Sequence, residues 1–307
     1  MVSVKEVSYK NFGKCLSISN EAMEMYVTVD IGPRIIKCNL QNRENLMYED
    51  IERKNTHDVS SYYGEGKRWY IIGGHRLWFS PESMPETYYP DNSKVVYTIT
   101  GDGASFMPPV QDRTGLQYTI EVKMHPTEAK VSVVHHIVNA GKTTVKGAAW
   151  CLTVTAAGGV IMIPQPKEDT GLLGNRILAL WPYTDMTDPR AFFGRDYISI
   201  RQDEKIDKSI KVGINNTQGK MAIINHGQAL VKTYKPQHPT AEYPDFGVST
   251  ETYACAAFLE AETLSPLKTL KRGEEIVHEE QWQLLDGMEQ PVFTNESMCE
   301  VAGKLGW

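Results

Sequence analysis

The sequence has little of what several common classes of protein require. Lys and Arg number 32 against 38 Asp and Glu, the net charge is -6, and no dense basic run is present. Nucleic-acid-binding surfaces depend on clustered Lys and Arg, so this composition argues against them. No stretch approaches the ~20 apolar residues that span a bilayer, and the N-terminus lacks the apolar segment of a signal peptide. The sequence therefore predicts a cytoplasmic protein that binds neither nucleic acid nor membrane.

Motifs for metals, phosphates and nucleophilic serine are also missing. The five cysteines are scattered and never form the close pairs of a zinc or redox site. His135 and His136 are adjacent, and neighbouring side chains of a strand point to opposite faces, so these two cannot share one ion. Neither a phosphate-binding loop nor a GxSxG motif occurs. We therefore expect no metal, no cofactor, no phosphoryl transfer and no serine hydrolysis.

What the sequence has in abundance is the alternation of apolar and polar residues typical of strands. The stretch "MEMYVTVDI" (23–31) places its apolar residues on one face, and residues 15–31 predict a hairpin. Similar patterns recur at 130–139, 149–156, 159–166, 197–202, 209–215, 221–226 and 257–262. Short turn signals such as "NAGK" and "NNTQG" separate them, which favours antiparallel pairing. We predict an all-β protein with a large sandwich-like core, forming a single domain over 1–307.

Evidence for helices is weak. Residues 42–53 show a short helical period, and the last twelve residues could form a terminal helix.

Several carboxylates fall in patterns that suit acid–base chemistry. Glu260 and Glu262 are two residues apart on a predicted strand and therefore share a face, as do Glu251 and Tyr253. Neighbouring buried carboxylates raise each other's proton affinity, which provides an acid or base that works near neutral pH. The alternative is an exposed acidic face of an outer strand.

Two further stretches offer polar residues beside aromatic ones. Asp91 and Asn92 follow a Pro-marked turn after two tyrosines, which suits sugar hydroxyls but also a plain turn. "GGHRLWFSPE" (73–82) places His75 and Arg76 after two glycines. These two residues could line a cleft at a strand end, or they could be a structural histidine and a salt-bridge partner.

These stretches together resemble the galactose-mutarotase-like superfamily, which includes the aldose 1-epimerases. The similarity lies in "YVTVDIGPRIIKCNLQNRENLMYED", in "VHHIVNAGKTTVKGAAWCLTV" followed by "GGVIMIPQP", and in "FLEAETLSPLKTLKRGEEIVHEEQWQL". The closest resemblance is to an uncharacterised branch that carries "GGHRLW..PE". The resemblance implies a large antiparallel β-supersandwich with an open cleft on its concave sheet.

The resemblance also implies chemistry on a free aldose. Glu262 in "AETLSP" matches the position of the family's catalytic base. The family's acid is a histidine in a stretch that corresponds to "AAWCLTV", where Trp150 or Cys151 stands instead. We therefore expect His75 to supply the acid.

The resulting prediction is an aldose 1-epimerase-like isomerase acting on a monosaccharide. Glu262 is the expected base and His75 the expected acid, and the expected substrate-binding residues are Arg76, Trp78, Asp91, Asn92, Lys211, Tyr243 and Glu251. Arg76 and Lys211 would suit an anionic sugar such as a uronate or a sugar phosphate. The alternatives are a non-catalytic sugar-binding or sensing protein, and an accessory to a glycoside hydrolase or lyase.

Overall fold

The computed structural model describes residues 1–307 and contains 23 strands and two α-helices. The first twelve strands are β1 (Ser3–Ser8), β2 (Lys14–Ser19), β3 (Met23–Thr28), β4 (Ile35–Leu40), β5 (Thr56–Asp58), β6 (Arg68–Tyr70), β7 (Gly74–Ser80), β8 (Val96–Ile99), β9 (Gly103–Met107), β10 (Leu116–Met124), β11 (Lys130–Asn139) and β12 (Val145–Thr155). The remaining strands are β13 (Val160–Pro164), β14 (Leu178–Leu180), β15 (Ala191–Phe193), β16 (Tyr197–Arg201), β17 (Ile210–Ile214), β18 (Lys220–Asn225), β19 (Gln228–Tyr234), β20 (Thr250–Ala254), β21 (Leu259–Leu264), β22 (Lys268–Leu270) and β23 (Glu275–Asp286). The helices are α1 (Ser60–Tyr63) and α2 (Asn295–Lys304).

Two large antiparallel sheets make up most of the molecule. The first sheet has eleven strands in the order β1-β2-β3-β4-β7-β12-β21-β20-β17-β14, with β22 paired to β12. The second has ten strands in the order β15-β16-β13-β18-β19-β23-β11-β10-β9-β8, and β5 pairs with β6 separately. The all-β antiparallel architecture predicted from the alternating pattern is confirmed.

The core lies between the two sheets. Apolar side chains from the inward faces of both sheets form one continuous cluster, which includes Leu16 and Ile35 from the first sheet and Phe106, Ile120 and Trp282 from the second. Successive residues of a strand alternate between this core and the outer faces. The same strand therefore supplies both core residues and outward-facing residues.

The two weak helix signals have different outcomes. Residues 42–53 form no helix, because Leu46 and Met47 pack into the core and the segment forms isolated bridges to Thr155 of β12 and to Gly73, just before β7. The terminal helix is confirmed as α2, whose first turn is capped by the Thr294 side chain accepting a hydrogen bond from the backbone N–H of Ser297. Neither α-helix has the length and apolar character needed to cross a lipid bilayer.

Candidate active site

The outer face of the first sheet carries a row of polar and aromatic side chains across four adjacent strands. Arg76 of β7 lies opposite Leu152 of β12, which lies opposite Glu262 of β21. Glu262 in turn pairs with Glu251 of β20. Residues far apart in the chain are therefore brought side by side because the strands pair in this register.

A cleft of about 600 Å³ opens over this face. Eight of its 19 lining residues form an aromatic wall: Trp69, Trp78, Tyr88, Trp150, Trp181, Tyr183, Tyr253 and Phe258. Glu82, Lys211 and Glu260 are among its polar residues. Aromatic faces with a few polar groups between them suit a sugar ring, which has apolar faces and a hydroxylated edge.

A charged centre lies at the floor of the cleft. Oε2 of Glu262 accepts hydrogen bonds from Nε1 of Trp150 at 2.6 Å and from Nζ of Lys211 at 3.0 Å. Lys211 also lies 2.9 Å from Oε2 of Glu251 as an ion pair without hydrogen-bond geometry. Glu251 and Glu262 are fully buried, and both oxygens of Glu251 and Oε1 of Glu262 lack a hydrogen-bond donor. The centre therefore holds unpartnered acceptors beside a single ammonium group.

The surroundings raise the pKa values of three groups at this centre, for different reasons. Burial alone would lower the pKa of Lys211, but the Glu251 and Glu262 carboxylates outweigh it and raise that pKa well above its ordinary value. Burial raises the pKa of Glu251 well above its ordinary range, against the opposing charge of Lys211. Burial, together with the neighbouring charge of Glu262, raises the pKa of Glu260 to about 8. Glu260 is therefore a carboxylic acid that keeps its proton near neutral pH.

The structure places the expected ligand-holding arginine behind the cleft wall. Arg76 is buried, donates to Asp91 at 3.0 Å, and its guanidinium lies 4.2 Å from the ring centre of Trp78 and 5.2 Å from that of Trp69. Asp91 also accepts two hydrogen bonds from Arg34, at 2.8 and 2.9 Å. Burial and the neighbouring Arg34 lower the pKa of Arg76 to about 9. Arg76 and Asp91 thus form an ion pair with each other, and neither lines the cleft.

His75 is not in the cleft, and its expected role as the acid beside Glu262 is corrected. It precedes Arg76 on β7, so its side chain points to the opposite face, between the two sheets. There it is fully buried, with Nδ1 2.9 Å from Oγ1 of Thr153 and Nε2 2.7 Å from Nε2 of His135. The sheet itself separates His75 from the cleft.

The hydrogen bonds around His75 define where its protons lie. Nδ1 of His135 faces the carbonyl of His278 at 2.9 Å and must donate to it, so Nε2 of His135 accepts from His75. Nδ1 of His75 then accepts from the hydroxyl of Thr153, which itself accepts from Lys232. Every ring nitrogen of His75 and His135 has a partner when both rings are neutral. This inter-sheet polar layer is a closed network.

Glu280 completes the inter-sheet polar layer. Its carboxylate lies 2.9 Å from Nζ of Lys232, accepts from Thr263 at 2.5 Å, and accepts from Nε1 of Trp282 at 2.8 Å. His75, His135 and Glu280 lie close enough to hold an ion. The two histidines are already bonded to each other, and Glu280 is paired with the Lys232 ammonium group, so the geometry favours an internal network over a set of free metal ligands.

The other expected site residues are distributed around the molecule. Trp78 and Lys211 line the cleft, and Glu251 lies beneath it. Asn92 donates to the carbonyl of Arg68 outside the cleft. Tyr243 lines a separate cavity of about 770 Å³, stacked on His238 with ring centres 4.2 Å apart. Glu260 and Glu262 lie on one face of β21, and Glu251 and Tyr253 lie on one face of β20, as the alternation along a strand predicts.

Sequence reasoning missed most of the aromatic wall. Trp69, Trp181 and Tyr183 come from short strands and loops whose positions depend on tertiary packing. Trp150 was visible as the residue near the position of the family's acid, but its bond to Glu262 was not. The one available signal was the density of Trp and Tyr around the predicted cleft strands.

Solved structures of the same fold exist, although no family model and no curated protein matches the sequence. A putative aldose 1-epimerase from Klebsiella pneumoniae superposes with a TM-score of 0.61 at 10% identity, covering 99% of this chain and 87% of that one. A galactose mutarotase-like protein from Lactobacillus casei gives 0.56 at 11% identity, covering 88% and 100%. A TPR-domain containing protein from Parabacteroides distasonis gives 0.61 at 15% identity, covering 91% of this chain and 49% of that one.

These similarities establish the fold. The chain spans about half of the length of the Parabacteroides protein and most of the other two. The architecture is a β-sandwich of two large antiparallel sheets, which this chain shares at low sequence identity with proteins described as galactose mutarotase-like, as a putative mutarotase or as a putative aldose 1-epimerase.

Proposed function

We propose that this protein binds a monosaccharide in the aromatic cleft and interconverts its anomers by acid–base ring opening. The observation that carries the proposal is the pair of carboxyl groups at the cleft floor. Glu262 receives two donors that suit a carboxylate, while Glu260 lines the cleft with a pKa near 8. Groups whose environments separate their proton affinities can divide the roles of base and acid.

The proton transfers balance without any other reactant. Glu262 removes the proton from the anomeric hydroxyl, and the carboxylic acid of Glu260 gives its proton to the ring oxygen as the ring bond breaks. The open-chain aldehyde rotates about its C1–C2 bond. Ring closure on the other face returns the proton of the ring oxygen to Glu260 and gives the proton held by Glu262 to the new anomeric hydroxyl, so both carboxyl groups regain their starting states.

Access to Glu262 requires a local movement. In the structure the side chains of Lys211 and Trp150 cover this carboxylate, which is 0% exposed. A sugar hydroxyl that replaces the Lys211 ammonium group as a donor would uncover the oxygen. Lys211 would then be free to hold a ring hydroxyl.

The test is anomer exchange followed by NMR, starting from pure α-anomers of hexoses and pentoses. We expect the protein to accelerate exchange, and Glu262→Gln and Glu260→Gln each to slow it about 100-fold or more, the usual contribution of a general acid or base. Glu279→Gln, on the exposed face of β23 in the second sheet, is the matched control and should leave the rate unchanged. Full activity in both site variants would refute the assignment.

A second candidate is a sugar-binding protein without catalysis. Trp150 stands near the position of the family's acid histidine, and an indole N–H only donates a hydrogen bond. The covering of Glu262 points the same way. Sugar binding by calorimetry, together with unaccelerated anomer exchange, would favour this function over the first.

A further inference from the structure

Arg76, one of the two cations expected to hold an anionic sugar, is paired with a carboxylate outside the cleft. Arg34 and Arg76 both bind the one carboxylate of Asp91, and Arg76 is shielded from the cleft by the rings of Trp69 and Trp78. This pairing leaves no arginine directed into the cleft. A ligand there meets one buried ammonium group, that of Lys211, while the second lysine of the lining, Lys54, is exposed and forms an ion pair with Glu52.

Carboxyl groups outnumber that cation. Glu82 and Glu260 line the cleft, and Glu251 and Glu262 lie beneath it in contact with Lys211. Asp245 adds a further carboxyl group, because its side chain contacts Glu251. The three acceptor oxygens of Glu251 and Glu262 that lack donors are fully buried. The site therefore has more carboxyl groups than buried cations, and it has unused capacity to accept hydrogen bonds.

The aromatic wall favours cations as well. The negative face of an aromatic ring attracts a positive charge. Two rings of the wall already hold Lys211 this way, with Nζ 4.6 Å from the ring centre of Trp150 and 4.7 Å from that of Trp181. Tyr88, Tyr183 and Tyr253 present further rings to the same space. Neither the charges nor the rings favour a uronate or a sugar phosphate.

The pKa directions are consistent with this electrostatic balance. Burial raises the pKa values of Asp245, Glu251 and Glu260, so the site retains protons that limit its negative charge. An ammonium group near these carboxyl groups would take the place of such a proton. Binding of a cation should therefore release protons, whereas binding of an anion should take them up.

From the charge balance and the aromatic wall, we infer that the ligand of the cleft is an amino sugar, positively charged at neutral pH. The inference rests on the proposed function and specifies its substrate class. Glu82 is the specificity-determining residue that this predicts, since it lines the cleft beside Glu260 and its carboxylate accepts from Tyr88. The same carboxyl groups and ring faces disfavour anionic sugars.

The experiment compares three ligands with one ring configuration by calorimetry at pH 6 and low salt: a 2-amino-2-deoxyhexose, the parent hexose and the corresponding hexuronate. We expect the amino sugar to bind about tenfold tighter than the parent, the scale of one partly screened charge pair, and the uronate to bind weakest. Added salt should reduce the differences in affinity among the three sugars, because it screens the charges. Titrations in two buffers of different ionisation enthalpy should show proton release with the amino sugar.

Glu82→Gln tests the residue directly, with Glu279→Gln as the matched control. Glu82→Gln should reduce the preference for the amino sugar while binding of the parent hexose persists. Glu279→Gln should leave the relative affinities of the three sugars unchanged. Tightest binding of the uronate, or equal affinity for all three sugars, would overturn the inference and leave the proposed function standing. Binding of none of the sugars would overturn the proposed function, and the inference with it.

Discussion

Three buried tryptophans of the cleft wall differ in one respect. Nε1 of Trp150 donates to Glu262, whereas Nε1 of Trp69 and Nε1 of Trp78 have no hydrogen-bond partner. Trp150 and Trp69 are both 4% exposed, so replacing either by phenylalanine removes a similar volume from a similar environment. Comparing the two replacements isolates the hydrogen bond to the carboxylate.

We predict that Trp150→Phe lowers the free energy of unfolding more than Trp69→Phe does. The difference should be about 1–3 kcal/mol, because a buried carboxylate loses one of its two donors. Urea denaturation followed by circular dichroism measures it. Equal losses in the two variants would show that the Trp150 indole N–H contributes nothing beyond packing.

At the scale of single elements, successive side chains of a strand point to opposite faces, so residues that stabilise the fold alternate with residues that line the cleft. Within β7, Leu77 belongs to the core and His75 to the inter-sheet polar layer, while Trp78 faces the cleft. A shift of one residue in the register would exchange these faces. The two outer faces differ as well, since that of the second sheet is covered by α2 over Met162, Ala222 and neighbouring residues.

Helix α2 should be held by its apolar face. Met298 is fully buried against the second sheet, while the next residue, Cys299, is exposed. We expect Met298→Ala to lower the free energy of unfolding by about 2–5 kcal/mol, as in other buried large-to-small replacements. Cys299→Ala should have little effect. Thermal or urea unfolding compares the two, and similar stabilities would contradict the packing of α2 seen here.

At the scale of the whole molecule, two groups of buried titratable residues oppose each other. Burial lowers the pKa of His135 to about 4 and that of His278 to about 3, and it places that of His75 well below its ordinary value. On the other side of the first sheet, burial raises the pKa values of Glu251 and Glu260. The stability of the protein should depend on pH through both groups.

We predict that the free energy of unfolding passes through a maximum at about pH 6.5. Below that pH the unfolded chain binds protons on histidines that stay neutral in the folded state, so acid favours unfolding. Glu251 and Glu260 keep protons in the folded state that the unfolded chain releases above about pH 4.5, so these two groups partly offset the three histidines below pH 6.5. Above pH 6.5 the histidines no longer contribute, and base favours unfolding. Urea denaturation at pH 5, 6.5 and 8 tests the prediction.

Glu260→Gln should flatten the high-pH side of this profile, because it removes one group that carries a raised pKa. On the low-pH side the same replacement should steepen the rise in stability, because Glu260 no longer opposes the three histidines between about pH 4.5 and 6.5. A profile that changes in one direction only from pH 5 to pH 8 would show that one of the two groups does not act as the structure implies.

The sequence by itself determined the class of fold and the faces of individual strands. Period-two alternation placed Glu260 and Glu262 on one face and separated His135 from His136, because side chains of a strand alternate whatever its neighbours are. The last twelve residues gave one of two weak helix signals, and only that one forms a helix, α2. These features depend on backbone geometry and on the residues of the segment itself, so the sequence alone predicts them.

Only the tertiary structure decided which face of a strand became the cleft and which met the other sheet. His75 and Arg76 looked equally suited to a site, yet one joins the inter-sheet polar layer and the other braces Asp91 behind the wall. The bonds from Trp150 and Lys211 to Glu262 join residues 112 and 51 positions apart. Strand order and long-range pairing create such contacts, and no local pattern in the chain encodes them.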